Sequence, residues 1–209
     1  GTVALTFNSK TLARFARLWL GLFIYGLGLA LIVEATVGVP PWDVLAQGIS
    51  KQAHISYGWA SVVVSALVLL AWIPLRQRWG IGTVLNGIFI GLFADFWMNL
   101  LPSAETYLLQ LGSFCLGMVL VALATGMYIS ANLGTGPRDG LMIGTQRLLG
   151  WKFWQIRTMY ETIVLTIGWL LGGQVREGTL IFAFCIGYLM QFSLKVFKFV
   201  DPQAKKRAE

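Results

Sequence analysis

Six apolar runs, at about residues 15–36, 58–75, 82–101, 107–131, 154–172 and 178–198, set the main constraint on this chain. Each is close to the roughly 20 residues that an α-helix needs to cross a bilayer. Together they take up more than half of the 209 residues, which leaves no room for an independent soluble domain. The expected fold class is therefore an all-α polytopic membrane protein, a single membrane domain over 1–209. Composition points the same way: 12% of residues are charged and mean hydropathy is +0.70, against about 25% charged in an average soluble domain.

A net charge of +7 would point to nucleic acid in a soluble protein. Here the basic residues fall between apolar runs instead of along one face, as they do when Lys and Arg set membrane orientation. The expected partner is the lipid bilayer, with no nucleic acid. Cys115 and Cys185 lie inside apolar runs, where cysteine behaves as a small hydrophobe. With His54 as the single histidine they make no metal-ligand cluster, and no cofactor is expected. Lys10, Arg14 and Arg17 precede an apolar stretch as in a secretory leader, yet no small-residue cleavage site follows and further spans do. The segment reads as a first helix, and Gly1 as the mark of a processing or cloning junction.

Two copies of one pattern emerge when the sequence is shifted against itself by 96 residues without a gap. Gly21 falls on Gly117, Ala35 on Ala131, Gly38 on Gly134, Pro41 on Pro137, Asp43 on Asp139 and Gly48 on Gly144. The same shift places Gly82-Thr83 on Gly178-Thr179 and Phe96 on Phe192. Apolar matches mean little in such a chain, but Gly, Pro and Asp are placed by backbone geometry and charge, and a recurrence of this kind governs the whole fold reading. Repeat one covers about 15–101 and repeat two about 107–198. Each is a long span, a Gly/Pro break, a short amphipathic helix (43–52 or 139–149) and two further spans. The expected architecture is six transmembrane helices plus two short broken or re-entrant helices.

With a cytoplasmic N-terminus and short helices that do not cross, 14 of the 16 Lys and Arg fall on the cytoplasmic side, leaving only Lys51 and Arg176 outside, in keeping with the positive-inside tendency. Three crossings per half then make the repeats inverted in topology. Crossing short helices would make them parallel and would put Arg76 and Arg78 opposite the N-terminal arginines. The tail at 199–209, with Lys205, Lys206 and Arg207, is then cytoplasmic and close to anionic headgroups.

The breaks are the best candidate site, because irregular backbone at membrane depth is tolerable only where protein or a watery cavity surrounds it, and broken helices of inverted repeats line transport pathways. Pro41 and Pro137 start the short helices without losing a hydrogen bond, and Asp43 and Asp139 complement the helix dipoles. The alternative is a surface-lying amphipathic hairpin in which the aspartates only charge-complement a helix start. Trp42 in the first copy is Arg138 in the second. This follows topology, Trp at an interface belt and Arg in a cytoplasmic loop, with Arg138 also a candidate contact for an anionic solute.

Ionisable groups inside spans are costly enough to be functional candidates. Asp95 lies within the third span and Glu161 within the fifth, where Arg157, four residues back, shares its face. Glu34 closes the first span, as a candidate or as an interfacial carboxylate in water. Asn86 and Asn132 either bond a solute or tie helices together. Gly21, Gly26, Gly28, Gly87 and Gly91 suit close helix packing. No serine has a histidine base nearby and no Gly-rich phosphate loop precedes a basic helix, so no catalytic residues and no enzymatic activity are expected.

Two motifs, Gly38-Val39-Pro40-Pro41-Trp42-Asp43-Val44 and Gly134-Thr135-Gly136-Pro137-Arg138-Asp139-Gly140-Leu141-Met142, together with Gly80-Ile81-Gly82-Thr83-Val84-Leu85-Asn86 and Glu177-Gly178-Thr179-Leu180, resemble the bacterial YczE/YyaS/YitT family of integral membrane proteins. The resemblance runs from about 17 to 197 and departs at Pro40, where a small residue is expected. It implies a bacterial inner-membrane protein of YczE-like size, without an appended regulatory domain, and implies no settled activity.

The functional reading is a transporter or permease for a small, candidate anionic solute, with the pathway at the repeat interface; six spans suffice for a monomeric pathway, and a homodimer is the alternative. A non-transporting scaffold or accessory subunit, and a flippase for a lipid or lipid-linked precursor, stay open beside it. The orientation makes a direct prediction. A cysteine introduced at Pro102 is labelled from outside intact cells and one at Gln77 is protected; the reverse pattern overturns the topology.

Overall fold

The computed structural model describes residues 9–197, apart from the side chain of Phe153. The tail expected from 199 onward, with Lys205, Lys206 and Arg207, lies outside the described residues. Eight helices follow one another: α1 (Ser9–Ala35), α2 (Pro41–Ala53), α3 (Tyr57–Leu75), α4 (Ile81–Leu100), α5 (Tyr107–Ser130), α6 (Pro137–Leu149), α7 (Phe153–Leu170) and α8 (Glu177–Val196). Among the described residues, α1, α3, α4, α5 and α8 are the five long and apolar enough to cross a membrane.

Two differences from the sequence expectation have plain causes. α1 begins at Ser9 and not near 15, because Lys and Arg are good helix formers that hydropathy cannot distinguish from loop; Arg14 then reaches the Ala131 and Asn132 carbonyls, each at 2.8 Å. α7 falls short of the five spanning-length helices because Arg157, Glu161 and a row of threonines dilute its apolar surface. Thr158, Thr162 and Thr166 are exposed, and each hydroxyl donates to the carbonyl four residues back.

The short helices follow their local signals. Each opens on a proline, carries its Asp in the first turn and a basic residue, Lys51 or Arg147, in the last, the arrangement that the helix dipole favours. Ahead of each, the chain turns through Thr36 at φ 57° and Gly38 at 109°, or Asn132 at 55° and Gly134 at 123°. Glycine is needed at the second position of each turn, where a Cβ would be strained. The ends of α2 and α6, and those of α4 and α8, coincide when shifted by 96 residues.

The halves interlock. α1 lies along α5 so closely that a Cβ on Gly28 would sit 2.7 Å from the Gly117 carbonyl oxygen. α2 packs on α7, and α6 packs on α3. The Gly82 N–H donates to Leu133 of the second break at 2.7 Å, and the Gly178 N–H to Val37 of the first at 2.8 Å. Arg176 reaches the Thr36 carbonyl at 2.7 Å. Backbone groups freed by each break thus find partners in the opposite half, which buried peptide groups require.

One packing relation is not repeated. α3 lies against α4, where a Cβ on Gly91 would come within 2.6 Å of the Gly58 carbonyl oxygen, yet α7 does not pack along α8, and Gly187 has nothing within 4 Å of its Cβ position. Positions equivalent to Gly58, Ser61 and Ser65 carry the larger Trp154, Arg157 and Glu161. Gly91→Leu is therefore expected to cost about 1–3 kcal/mol as an overpacking change, and Gly187→Leu to stay within about 0.5 kcal/mol, in thermal unfolding of the purified protein in detergent. Equal losses would show that α7 and α8 do pack.

Candidate functional site

Both short helices start in the bundle interior and aim their N-termini at each other. Arg138, second in α6, and Asp43, third in α2, form an ion pair at 3.8 Å. Asp43 is 1% exposed and also accepts from the Tyr57 hydroxyl. The Trp42 ring covers the guanidinium, 5.4 Å from its centroid, with the Tyr160 ring 6.5 Å beyond, an arrangement that adds cation–π attraction to the pair. Two expectations are corrected here. Trp42 is buried and not in an interface belt, and Arg138 is engaged with a carboxylate instead of lying in a cytoplasmic loop. Both residues sit in the first turn of a helix, and the basic residues Lys51 and Arg147 lie in the last turns.

Beside this pair is a cavity of about 70 Å³. Gly136, Pro137, Arg138 and Asp139 of the second break form one wall; Tyr25, Ser61, Ser65, Asn86 and Tyr128 supply polar groups, and Leu29, Ile90 and Met190 complete the lining. The Tyr128 hydroxyl donates to Asp139 Oδ2 at 3.4 Å. Asn86 is 8% exposed, and its Nδ2 has no hydrogen-bond partner. Trp72 fixes this end of α6: its indole N–H donates to the Pro137 carbonyl at 2.9 Å, and its ring lies where a Cβ on Gly140 would be.

Gly136 and Pro40 are repeat equivalents with the same backbone, φ −62° and ψ 158° against −57° and 157°. The departure at Pro40 leaves the turn unchanged. Gly136 matters for space instead: a Cβ there would stand 3.0 Å from Asp139 Oδ2 and 3.4 Å from Asn86 Nδ2. The equivalents of Tyr25, Asn86 and Tyr128 are Val121, Phe182 and Ile32, all buried. The first break has an apolar filling where the second has polar groups.

Of the residues expected from sequence, the structure brings Asp43, Asp139, Arg138, Pro41, Pro137 and Asn86 together around this centre. Asp95 is elsewhere: it accepts from Ser56 Oγ at 2.6 Å and Gly58 N at 2.9 Å and so caps the start of α3. Glu161 pairs with Arg157 at 2.9 Å on α7, off the cavity wall. Asn132 is an exposed turn residue whose carbonyl holds Arg14, and Glu34 is half-buried at the end of α1, away from the cavity. Sequence reasoning missed Tyr25, Tyr57, Ser61, Ser65 and Tyr128. Their signal was the contrast with apolar or charged residues at the equivalent positions of the other half.

The profile of the family of unknown function DUF6198 matches residues 12–195. This chain belongs to that family. The matched stretch holds both breaks and every cavity residue. An uncharacterized protein of Haemophilus influenzae is 42% identical over 84% of this chain and 80% of its own length. The uncharacterized membrane protein YczE of Bacillus subtilis is 33% identical over 90% and 88%, and the uncharacterized protein YyaS of the same organism 26% over 82% and 87%. The resemblance read from the break motifs is thus borne out. No solved structure matches the chain.

For this DUF6198 protein the buried pair yields a stability prediction. Arg138→Ala strands the Asp43 carboxylate and is expected to cost about 3–5 kcal/mol, seen as a lower unfolding temperature in detergent. Asp43→Asn in that background is expected to recover part of the loss, as coupled groups do in a double-mutant cycle. Simple additivity would show that the two side chains act independently.

Proposed function

We propose that the chain is a transporter or permease of the bacterial inner membrane, built from six crossing helices as two inverted-topology repeats with re-entrant short helices. Matching helix ends at an offset of 96 residues support the repeats. α7 serves as the sixth crossing: its 18 residues span about 27 Å at 1.5 Å each, close to the roughly 30 Å of a hydrocarbon core, with its charges paired and its hydroxyls satisfied. The distribution of Lys and Arg along the chain supports a cytoplasmic position for both termini.

The observation that carries this reading is the polar cavity at the start of α6, beside the pair that Arg138 makes with Asp43 of α2. Broken helices supply polar groups near the midplane of transporters, and a small pocket with a few convergent polar groups is the usual form of a solute site. The first test is access. In a Cys115→Ala/Cys185→Ala background, Ser65→Cys is expected to react with a membrane-impermeant thiol reagent in right-side-out or inside-out vesicles. Protection from both sides would sink the pathway.

The separation of α7 from α8 favours a second reading, a flippase with a lateral opening. It predicts that proteoliposomes move a fluorescent phospholipid between leaflets about tenfold faster than protein-free vesicles, an effect on the barrier of about 1.4 kcal/mol. Equal rates would remove it.

A further inference from the structure

The cavity is lined by one cation, Arg138, and one carboxylate, Asp139, which form no ion pair with each other. Arg138 is engaged by Asp43 at 3.8 Å and Arg157 by Glu161 at 2.9 Å. Asp139 lines the cavity with no ion pair among the described residues and with the Tyr128 hydroxyl at 3.4 Å. A carboxylate inside a helical bundle needs a counter-charge or hydration, and the dipole of α6 offsets only part of its charge. The hydroxyls of Ser61 and Ser65 add oxygen acceptors to the same wall. A second, independent feature is Asn86, nine-tenths buried, lining the cavity with an Nδ2 that lacks an acceptor.

Resting on the reading of this cavity as a solute site, we propose that it binds a small primary ammonium group with an adjacent oxygen acceptor, as in ethanolamine. The ammonium meets Asp139 and the serine hydroxyls in charge-assisted hydrogen bonds; the neighbouring oxygen accepts from Asn86 Nδ2. An anionic solute fits less well, because Asp139 repels it and Arg138 already faces a carboxylate. A space of about 70 Å³ admits a group of that size. The same chemistry is offered by a free amine and by the headgroup of an ethanolamine phospholipid.

The test is calorimetric titration of the purified full chain with ethanolamine, methylammonium and acetate, in detergent. Ethanolamine is expected to bind, methylammonium to bind about tenfold more weakly for want of the hydrogen bond to Asn86, and acetate to give no heat of binding. Asp139→Asn is expected to weaken ethanolamine at least about tenfold, whereas Thr162→Val, on the exposed face of α7, leaves it unchanged. Mass spectrometry of retained lipid separates the sources. Phosphatidylethanolamine enriched over phosphatidylglycerol in the wild type, and not in Asp139→Asn, supports the headgroup; ethanolamine binding without enrichment supports the free amine. Acetate binding more tightly than ethanolamine, or no amine binding to the wild type, overturns the proposal without reference to any variant. Ethanolamine binding while Ser65→Cys is protected from both sides would remove the pathway and keep the ligand assignment; the opposite result removes the assignment alone.

Discussion

The meeting of α2 and α6 through Asp43 and Arg138 is the contact on which the rest of the structure depends. Two helix N-termini brought together present partial positive charges to each other, and a guanidinium between them adds to the repulsion. Asp43 pairs with that guanidinium, and Asp139 lies in the first turn of α6, whose dipole offsets part of its charge. Ionic contacts of this kind are rarely net stabilising in an apolar interior, because desolvation offsets the attraction. Their stronger effect here is on specificity: Asp43 fixes which residue of α6 faces α2, and Trp42 and Tyr57 close around that choice.

The interlocking of the halves follows from the same problem. A chain that breaks its helix inside a bundle exposes peptide groups that lipid cannot satisfy. Each break draws on the opposite half, through Gly82 with Leu133 and Gly178 with Val37. The start of α4 therefore needs the second break in place, and the start of α8 needs the first. Neither half has its own set of partners.

On this shared plan three polar groups of the second break have apolar equivalents at the first. Where Tyr25, Asn86 and Tyr128 line open space, Val121, Phe182 and Ile32 fill the equivalent place. The apolar version shows that the backbone turn can be supported without polar side chains. The same divergence marks α7: Trp154, Arg157 and Glu161 stand where Gly58, Ser61 and Ser65 let α3 lie against α4.

Much of this was written locally. Helix-length apolar runs, prolines that open α2 and α6, glycines at positive φ and aspartates in first turns are dictated by hydropathy, backbone sterics and the helix dipole, all of which act over a few residues. They were legible without coordinates, and so were the pairing of Arg157 with Glu161 four residues apart and the family itself. What reading along the chain could not supply was partnership across it. Asp95 and Asp139 are both carboxylates in an apolar setting, yet one caps α3 through Ser56 and Gly58 and the other lines a cavity. Trp42 and Arg138 looked like residues placed by topology because their types suit a membrane surface. Only the tertiary structure decided that they lie against each other, because the direction in which a short helix points is set by what it packs on, α7 for α2 and α3 for α6, and those contacts join residues about a hundred or more and some tens of positions apart respectively.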